Sequence, residues 1–174
     1  LARLGDWIAP LWPQLAASLR ASPVRSVEAT AAMEWSVAGF AAPKLTFKAD
    51  RSSFSGAAAF ARPVGGERAR LYADLSSDAL DIDGMPDLSW TSGALAEADM
   101  SVALDAKAIR VARFGEGVID AGRIRLKLLQ DKAGLRLDSL AISGLGGANV
   151  TASGALSPKE GALDVRVEAE RLVD

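Results

Sequence analysis

The residues that could carry chemistry in this chain are carboxylates, lysines and serines, because histidine and cysteine are absent from all 174 residues. Without histidine the sequence lacks the side chain that most often serves as a general base or binds a metal. Without cysteine it lacks a disulfide framework, a thiolate zinc site and a cysteine nucleophile. Any active site would therefore rest on paired carboxylates or on a lysine that activates a serine.

The short motifs that offer such groups do not assemble a site. The acidic segments DLSSD (74–78) and DIDG (81–84) carry too few carboxylates, at the wrong spacing, for a calcium loop, and we interpret them as solvated strand ends. The glycines of GLGGAN (144–149) could cradle a phosphate if a helix followed, but the next residues alternate like a strand and favour a turn or bulge. Lysines lie beside serines no more often than chance gives. The sequence therefore predicts no enzyme, no cofactor and no metal site.

The composition is that of an ordinary globular protein, with 49% hydrophobic and 24% charged residues. The 20 basic and 22 acidic residues are evenly spread and give a net charge of −2. This balance offers no basic surface for nucleic acid and no polybasic segment for anionic lipids. The chain begins at Leu1 and stops within an alternating run, so we expect it to be a piece of a longer protein.

Residues 1–22 form the only stretch with helical periodicity. Leucine and isoleucine recur there every three or four residues, which predicts an amphipathic helical segment. Pro10 and Pro13 lie inside the pattern and predict a kink or two short helices. Trp7 and Trp12 fit the core side of such a helix better than a membrane interface.

After Ser22 the hydrophobic period changes from 3.6 to 2, the period of strands with one buried face. A full strand is predicted from Val27 to Val37, and the turns RPVGGE (62–67) and QDKAG (130–134) separate later strands. These features predict a mainly β fold, namely a curved antiparallel sheet or meander of two repeated β units with one N-terminal α-helical segment.

The predicted organisation follows from an internal repeat. The segment 26–40 can be laid over 101–114, 44–50 over 123–129, and 71–83 over 163–174. The predicted units are a helical segment at 1–22, a first β unit at 23–83, a connector at 84–100 and a second β unit at 101–174.

The phase of the alternation flips twice in the second unit. One flip lies between Ala106 and Ile109 and the other between Leu137 and Leu140. Each flip predicts a bulge, which adds twist and curvature to the sheet.

The strands predict one continuous apolar face, which something must cover. The cover is either the N-terminal helix, giving a sealed core, or a ligand or neighbouring unit that lies along the sheet, and the sealed core is the commoner arrangement. The apolar positions predicted to line this core or groove are Leu104, Ile109, Val111, Ile124, Leu126, Leu128, Leu135, Leu137, Leu140, Ile142, Val150, Val165 and Val167.

The second unit carries a family likeness. An alternating strand (101–114), a glycine-containing step (115–122) and RIRLKLL (123–129) precede a turn with GLRLDSLAISGLGG (130–147) and a strand ending ASGAL (148–156). This succession resembles the C-terminal repeat of AsmA-like proteins of Gram-negative cell envelopes, and LDVRVEAERLVD resembles the strand that leads into a following repeat.

The resemblance implies a non-catalytic periplasmic module of an inner-membrane-anchored protein. Its apolar β-sheet groove would carry phospholipid acyl chains in lipid transport or serve outer-membrane assembly, with no nucleic acid as partner. The alternative from the residues is an envelope β scaffold with a sealed core, which binds protein partners or neighbouring repeats and no lipid. Both hypotheses stay open at the level of sequence.

Overall fold

The structure is a computed structural model that describes residues 26–81, 98–111, 119–156 and 161–169. Within these ranges the chain is built from eleven β-strands and contains no helix. The predicted helical segment 1–22 lies outside the described residues, as do positions 84–97 of the predicted connector. The strands are β1 Val27–Ser36, β2 Gly39–Ala49, β3 Ser52–Ala61, β4 Ala69–Asp81, β5 Ala98–Ala106, β6 Ile109–Val111, β7 Ile119–Ala121, β8 Arg123–Asp131, β9 Gly134–Leu145, β10 Ala148–Leu156 and β11 Ala162–Ala169.

The strands form one sheet in which antiparallel pairing dominates. Its main path is β1-β2-β3-β4-β5-β8-β9-β10-β11. Strands β1 to β4 are an antiparallel meander, and β5 with β8 to β11 is a second one. The two meanders meet at β4 and β5, which pair in parallel. The prediction of a mainly β, mainly antiparallel fold is confirmed.

The turns follow from residues that the sequence places between the strands. Gly146 and Gly147 both have positive φ, 59° and 85°, and join β9 to β10 in a two-residue turn. Positive φ at both central positions is the geometry that closes a tight hairpin. The turn interpretation of GLGGAN is thus confirmed, and no helix begins there.

Both predicted phase flips coincide with irregularities of the sheet, one a break between β5 and β6 and the other a register shift within β9. Lys107 and Ala108 separate β5 from β6, but the ladder with β4 continues because the Lys107 amide donates to the Ser77 carbonyl at 2.9 Å. In β9 the register with β8 shifts between Ser139 and Leu137. An apolar residue on each side of the break therefore keeps its side chain on the same face.

Three details of the strand order differ from the sequence interpretation. The structure places a turn at residues 37–38, inside the overlay segment 26–40, so that β2 begins at Gly39. Strand β5 begins at Ala98, within the predicted connector. Strands β1 and β5 run in opposite directions, and so do β2 and β8, so the overlays of 26–40 on 101–114 and of 44–50 on 123–129 do not join equivalent strands. Strands β4 and β11 do run in the same direction.

Candidate functional site

The candidate site is one face of the sheet, which is apolar along four cross-strand rows. A row here means residues paired directly across successive strands, which point to the same face. Numbering starts at the end of the sheet where β5 finishes. Row 1 contains Ala29, Phe47, Phe54, Ser77, Ala106, Ile124, Ile142, Val150 and Val167. Row 2 contains Ala31, Leu45, Gly56, Leu75, Leu104, Leu126, Leu140, Ala152 and Val165.

The other two rows lie further along the strands. Row 3 contains Ala42, Ala58, Ala73, Val102, Leu128, Leu137, Gly154 and Leu163. Row 4 contains Trp35, Phe40, Phe60, Leu71, Met100, Gln130 and Leu135. The polar members of the four rows are Ser77 and Gln130, and the Ser77 hydroxyl donates to the Ala79 carbonyl at 2.8 Å. We call the surface made by the four rows the apolar face.

The structure brings the sequence-predicted positions together on this face. Rows 1 to 4 account for eleven of them: Ile124, Ile142, Val150, Val167; Leu104, Leu126, Leu140, Val165; Leu128, Leu137; and Leu135. Ile109 packs beside row 1 in the buried cluster described next. Val111 lies in β6, which pairs with β7. The alternation of apolar and polar residues therefore predicted which side chains share the apolar face, independently of what occupies that face.

One end of the apolar face is filled by its own side chains. Phe54, Leu80, Ala106 and Ile109 form a buried cluster, with exposed fractions of 8%, 6%, 0% and 2%. The partly buried side chains packed against this cluster come from β2, β5, β8 and β9: Phe47, Leu104, Ile124, Ile142 and Leu145. We call this the packed end, and the cavity that borders it at Leu80 and Ile109 is small, about 270 Å³.

The opposite end of the face is open. A cavity of about 710 Å³ lies over row 4 and is lined by Trp35, Phe40, Phe60, Leu71, Met100 and Gln130. Its aromatic wall is a ladder in which the rings of Trp35 and Phe40 are 6.2 Å apart and those of Phe40 and Phe60 are 5.8 Å apart. We call this space the mouth cavity. Its lining is mostly aromatic and aliphatic, with the charged residues Glu34, Arg70 and Asp99 also on it, and the apolar part suits an apolar ligand.

The apolar face is also exposed at the two outer strands of the sheet. Every residue of β1 and of β11 is exposed. Trp35 has an exposed fraction of 69%, Val165 of 59% and Val167 of 62%. Within the described ranges nothing covers these side chains on either outer strand.

The reverse face of the sheet is polar and carries ion pairs. Thr46, Ser55, Ser76, Asp105 and Arg125 form part of one cross-strand row there. Arg123 holds Asp105 through two hydrogen bonds, of which the one from Nε to Oδ1 is 2.7 Å long. The hydrogen bond from Arg123 lowers the pKa of the Asp105 carboxyl and raises the pKa of the Arg123 guanidinium.

This ion pair predicts a pH dependence of stability. Because the folded state depresses the pKa of Asp105, its contribution is present above the unfolded pKa of about 3.9 and is lost as the pH falls through the lower folded value. We expect Asp105→Asn to lower the free energy of unfolding at pH 7 and to have a smaller effect at pH 3. Urea titrations of both proteins at the two pH values measure this.

Arg123→Gln serves as the reciprocal variant for that experiment. It removes the guanidinium donor and leaves the Asp105 carboxyl. The difference in the free energy of unfolding between this variant and wild type should therefore also be smaller at pH 3 than at pH 7. A deficit of equal size at both pH values, for either variant, would contradict the assignment of the pKa shift to this pair.

The sequence interpretation missed the mouth cavity as a site. Trp35, Phe40, Phe60, Leu71 and Met100 were not among the predicted lining positions. The signal was available in part, because the alternation of β3 and β4 puts Phe60 and Leu71 in phase with the predicted faces. What hid the cavity was the turn at 37–38, which returns Phe40 beside Trp35.

Metal clusters and membrane-spanning helices are both absent from the described residues. These residues contain no group of three or more acidic, histidine or cysteine side chains that could hold a metal ion. They likewise contain no helix that is long and apolar enough to cross a membrane. No protein-family model, no curated protein and no solved structure matches the chain.

Proposed function

We propose that this chain is a lipid-handling module of an AsmA-like envelope protein, in which the apolar face serves as a groove for phospholipid acyl chains. The module is non-catalytic and belongs to the periplasmic part of a protein anchored in the inner membrane of a Gram-negative bacterium. Its role is phospholipid transport or outer-membrane assembly. The observation that carries the proposal is the apolar face itself, which runs across the sheet and is exposed on both outer strands, β1 and β11.

The dimensions of the face support this proposal. Rows 1 to 4 are separated by two residues each along most strands, so they span about 20 Å, and nine strands span about 38 Å across the sheet. An acyl chain in one leaflet fills about half of the ~30 Å hydrocarbon core of a bilayer. The face is therefore large enough for several chains, and each buried methylene contributes about 0.8 kcal/mol.

The bulges support a concave shape for this surface. Register shifts lie in the β2–β3 pair and in the β9–β10 pair, and each is followed by a glycine, Gly56 or Gly154. Bulges and strand glycines bend a sheet and increase its twist. In our proposal the two meanders are two β units that together form one curved groove.

Mass spectrometry of an organic extract tests the proposal. We expect purified protein to yield phospholipid at one or a few molecules per chain, and a β-rich periplasmic control protein to yield none. Val165→Glu places a charge on row 2 at a position that is 59% exposed, so the sheet should fold and the lipid yield should fall at least about fivefold.

Thr151→Glu is the matched control for that variant. Thr151 lies on the neighbouring strand β10 but on the polar face, and it is exposed. Its lipid yield should equal that of wild type. An empty wild-type extract, or equal losses in both variants, would contradict the assignment of lipid to the apolar face.

The alternative function, an envelope β scaffold without lipid, rests on the free outer edges of β1 and β11. Neither strand has a second neighbour among the described residues, and free edges pair readily with other strands. An empty extract together with association that rises with protein concentration, measured by light scattering, would favour this function. The scaffold would then bind protein partners or adjacent β repeats through its edges.

A further inference from the structure

The end of the sheet where the mouth cavity opens carries exposed apolar residues on two neighbouring turns. Val37, in the turn between β1 and β2, has an exposed fraction of 93%, and Val64, in the loop between β3 and β4, one of 66%. The Arg62 amide donates to the Ala38 carbonyl at 2.8 Å, which fixes the two turns side by side. We call them the paired tips.

The residue choice at the tips is unusual for a solvated turn. Tight hairpin turns favour asparagine, aspartate and glycine, whereas residues 37–38 are valine and alanine. Valine at 93% exposure adds nothing to packing, since almost its whole surface faces solvent. Apolar side chains exposed in this way mark an interaction surface when they occur together.

From these observations we propose that the paired tips insert into the surface of a lipid bilayer and set the mouth cavity against it. This inference rests on the proposed function in one respect, namely that the mouth cavity receives an acyl chain. Trp35 precedes the first tip by two residues and lines the cavity, with its ring stacked on Phe40 and 69% of its surface exposed. Tryptophan favours such a boundary between an apolar and a polar phase.

The shape of the tips favours a bilayer over a protein as the partner. A side chain that is 93% exposed projects from the surface, and a fluid phase can surround it on all sides. A protein partner would need a matching pocket for each of the two tips. Ala38 of the first tip also lines the mouth cavity, so a bilayer would supply its acyl chain at the same contact.

The charges around the tips predict which lipids matter. Arg62, Arg68 and Arg70 lie in this region with Glu34, Glu67 and Asp99, and two of the arginines are paired, Arg68 with Asp99 at 2.7 Å and Arg70 with Glu67 at 3.1 Å. Among the described residues around the tips, these three positive and three negative charges balance and give no net attraction for anionic headgroups. Binding should therefore rest on apolar insertion and should persist at high salt.

The asymmetry of the sheet gives the contact a direction. At the packed end the side chains of Phe54, Leu80 and Ile109 fill the face. At the other end the cavity of about 710 Å³ is open and the tips project beside it. An acyl chain entering from a bilayer would pass the tips, reach row 4 and extend toward row 2.

Flotation with vesicles of phosphatidylcholine tests this inference on the full chain. We expect wild-type protein to float with the vesicles. The bound fraction should be unchanged in roughly 1 M salt, which screens interactions between surface charges more than ~3 Å apart. The double variant Val37→Ser with Val64→Ser should bind about tenfold more weakly, because two exposed valines no longer enter the bilayer. Its far-UV circular dichroism should match that of wild type.

Val27→Ser is the matched control. Val27 is the first residue of β1, at the end of that strand away from the tips, and is 36% exposed. Its vesicle binding should equal that of wild type. Wild-type protein that does not float, or a double variant that floats as well as wild type, overturns the inference.

A fluorescent label locates the contact, because a chain without cysteine accepts a single introduced thiol. An environment-sensitive dye on Ala38→Cys should shift to shorter wavelength when vesicles are added, and the same dye on Arg51→Cys should not. Both residues are exposed turn positions at opposite ends of the strands. A shift at position 51 alone, or at neither position, also overturns the inference.

These outcomes separate the inference from the proposed function. If the protein copurifies with phospholipid but does not bind vesicles, the acyl-chain groove is supported and the bilayer contact is contradicted. If the protein binds vesicles through the tips but its extract contains no phospholipid, the bilayer contact is supported and the acyl-chain groove is contradicted.

Discussion

Replacing Leu137 with glutamate is expected to unfold the sheet, with a loss of roughly 3 to 5 kcal/mol in the free energy of unfolding. Leu137 is 6% exposed and lies in row 3 between Leu128 and Gly154. The substitution removes a packed leucine and buries a carboxylate for which the surrounding rows offer no partner. Urea titration followed by far-UV circular dichroism measures the loss.

Leu163 provides the comparison, because it occupies the same row but is 46% exposed at the outer strand β11. Leu163→Glu should change the free energy of unfolding by less than about 1 kcal/mol, since the carboxylate stays in water. Equal losses for the two variants would mean that the whole row is sealed. Two small losses would mean that the row is open throughout, and the packed interpretation of Leu137 would then be wrong.

The second large effect is expected at Gly56, where the two strands approach closely. Gly56 has a φ of 152°, and a Cβ atom built there would lie 2.0 Å from the carbonyl oxygen of Asp74 on β4. Gly56→Ala must therefore both strain the backbone and push β4 away from β3. We expect it to lower the free energy of unfolding by more than about 3 kcal/mol.

Gly134→Ala separates the two causes of that loss. Gly134 also has a φ in the region that favours glycine, 123°, but a Cβ atom at this position would meet no other atom within 4 Å. This variant carries the cost of the backbone conformation alone, about 1 kcal/mol. Thermal unfolding of both variants gives the comparison, and a Gly56→Ala protein as stable as Gly134→Ala would refute the close approach.

The sequence was most informative about which side chains share a face. A strand has a period of two, so the alternation of Leu126, Leu128 and their neighbours determines the face whichever strand pairs with which. The phase flips near Lys107 and Ser139 were readable for the same reason, because a bulge is the local change that restores the face. Turns that contain glycine, such as the one at Gly146 and Gly147, could also be predicted, because the signal lies in the turn residues themselves.

Pairing partners were much less accessible from sequence. The turn at residues 37–38 has no glycine or asparagine at its centre, so Val37 continued the apparent strand and the first hairpin was missed. The parallel contact of β4 with β5 depends on how residues far apart in sequence meet, and alternation does not encode strand direction. This is why the overlay of β1 on β5 failed.

The mouth cavity shows the same limit at the level of the site. Each of its residues obeys the alternation of its own strand, yet the cavity exists because Trp35, Phe60 and Met100 come from three distant segments. The packed end was equally invisible, since Phe54 and Leu145 look like any other apolar strand positions. A periodic pattern identifies a surface, and only the three-dimensional arrangement shows where that surface is filled and where it is open.

The parallel contact between β4 and β5 also has a consequence for the order of folding. The turns between β1, β2, β3 and β4 and between β8, β9 and β10 are short, so these hairpins need little chain to be ordered before they form. The β4–β5 contact extends over nine residue pairs and joins the two meanders, the halves of the sheet. Because residues 82–97 separate β4 from β5 in sequence, closing this contact costs more chain entropy than closing a hairpin. We expect each half to collapse early and the join to close last. Until then β4 and β5 of one molecule are open to those of another, so refolding at high concentration should yield dimers that have exchanged halves.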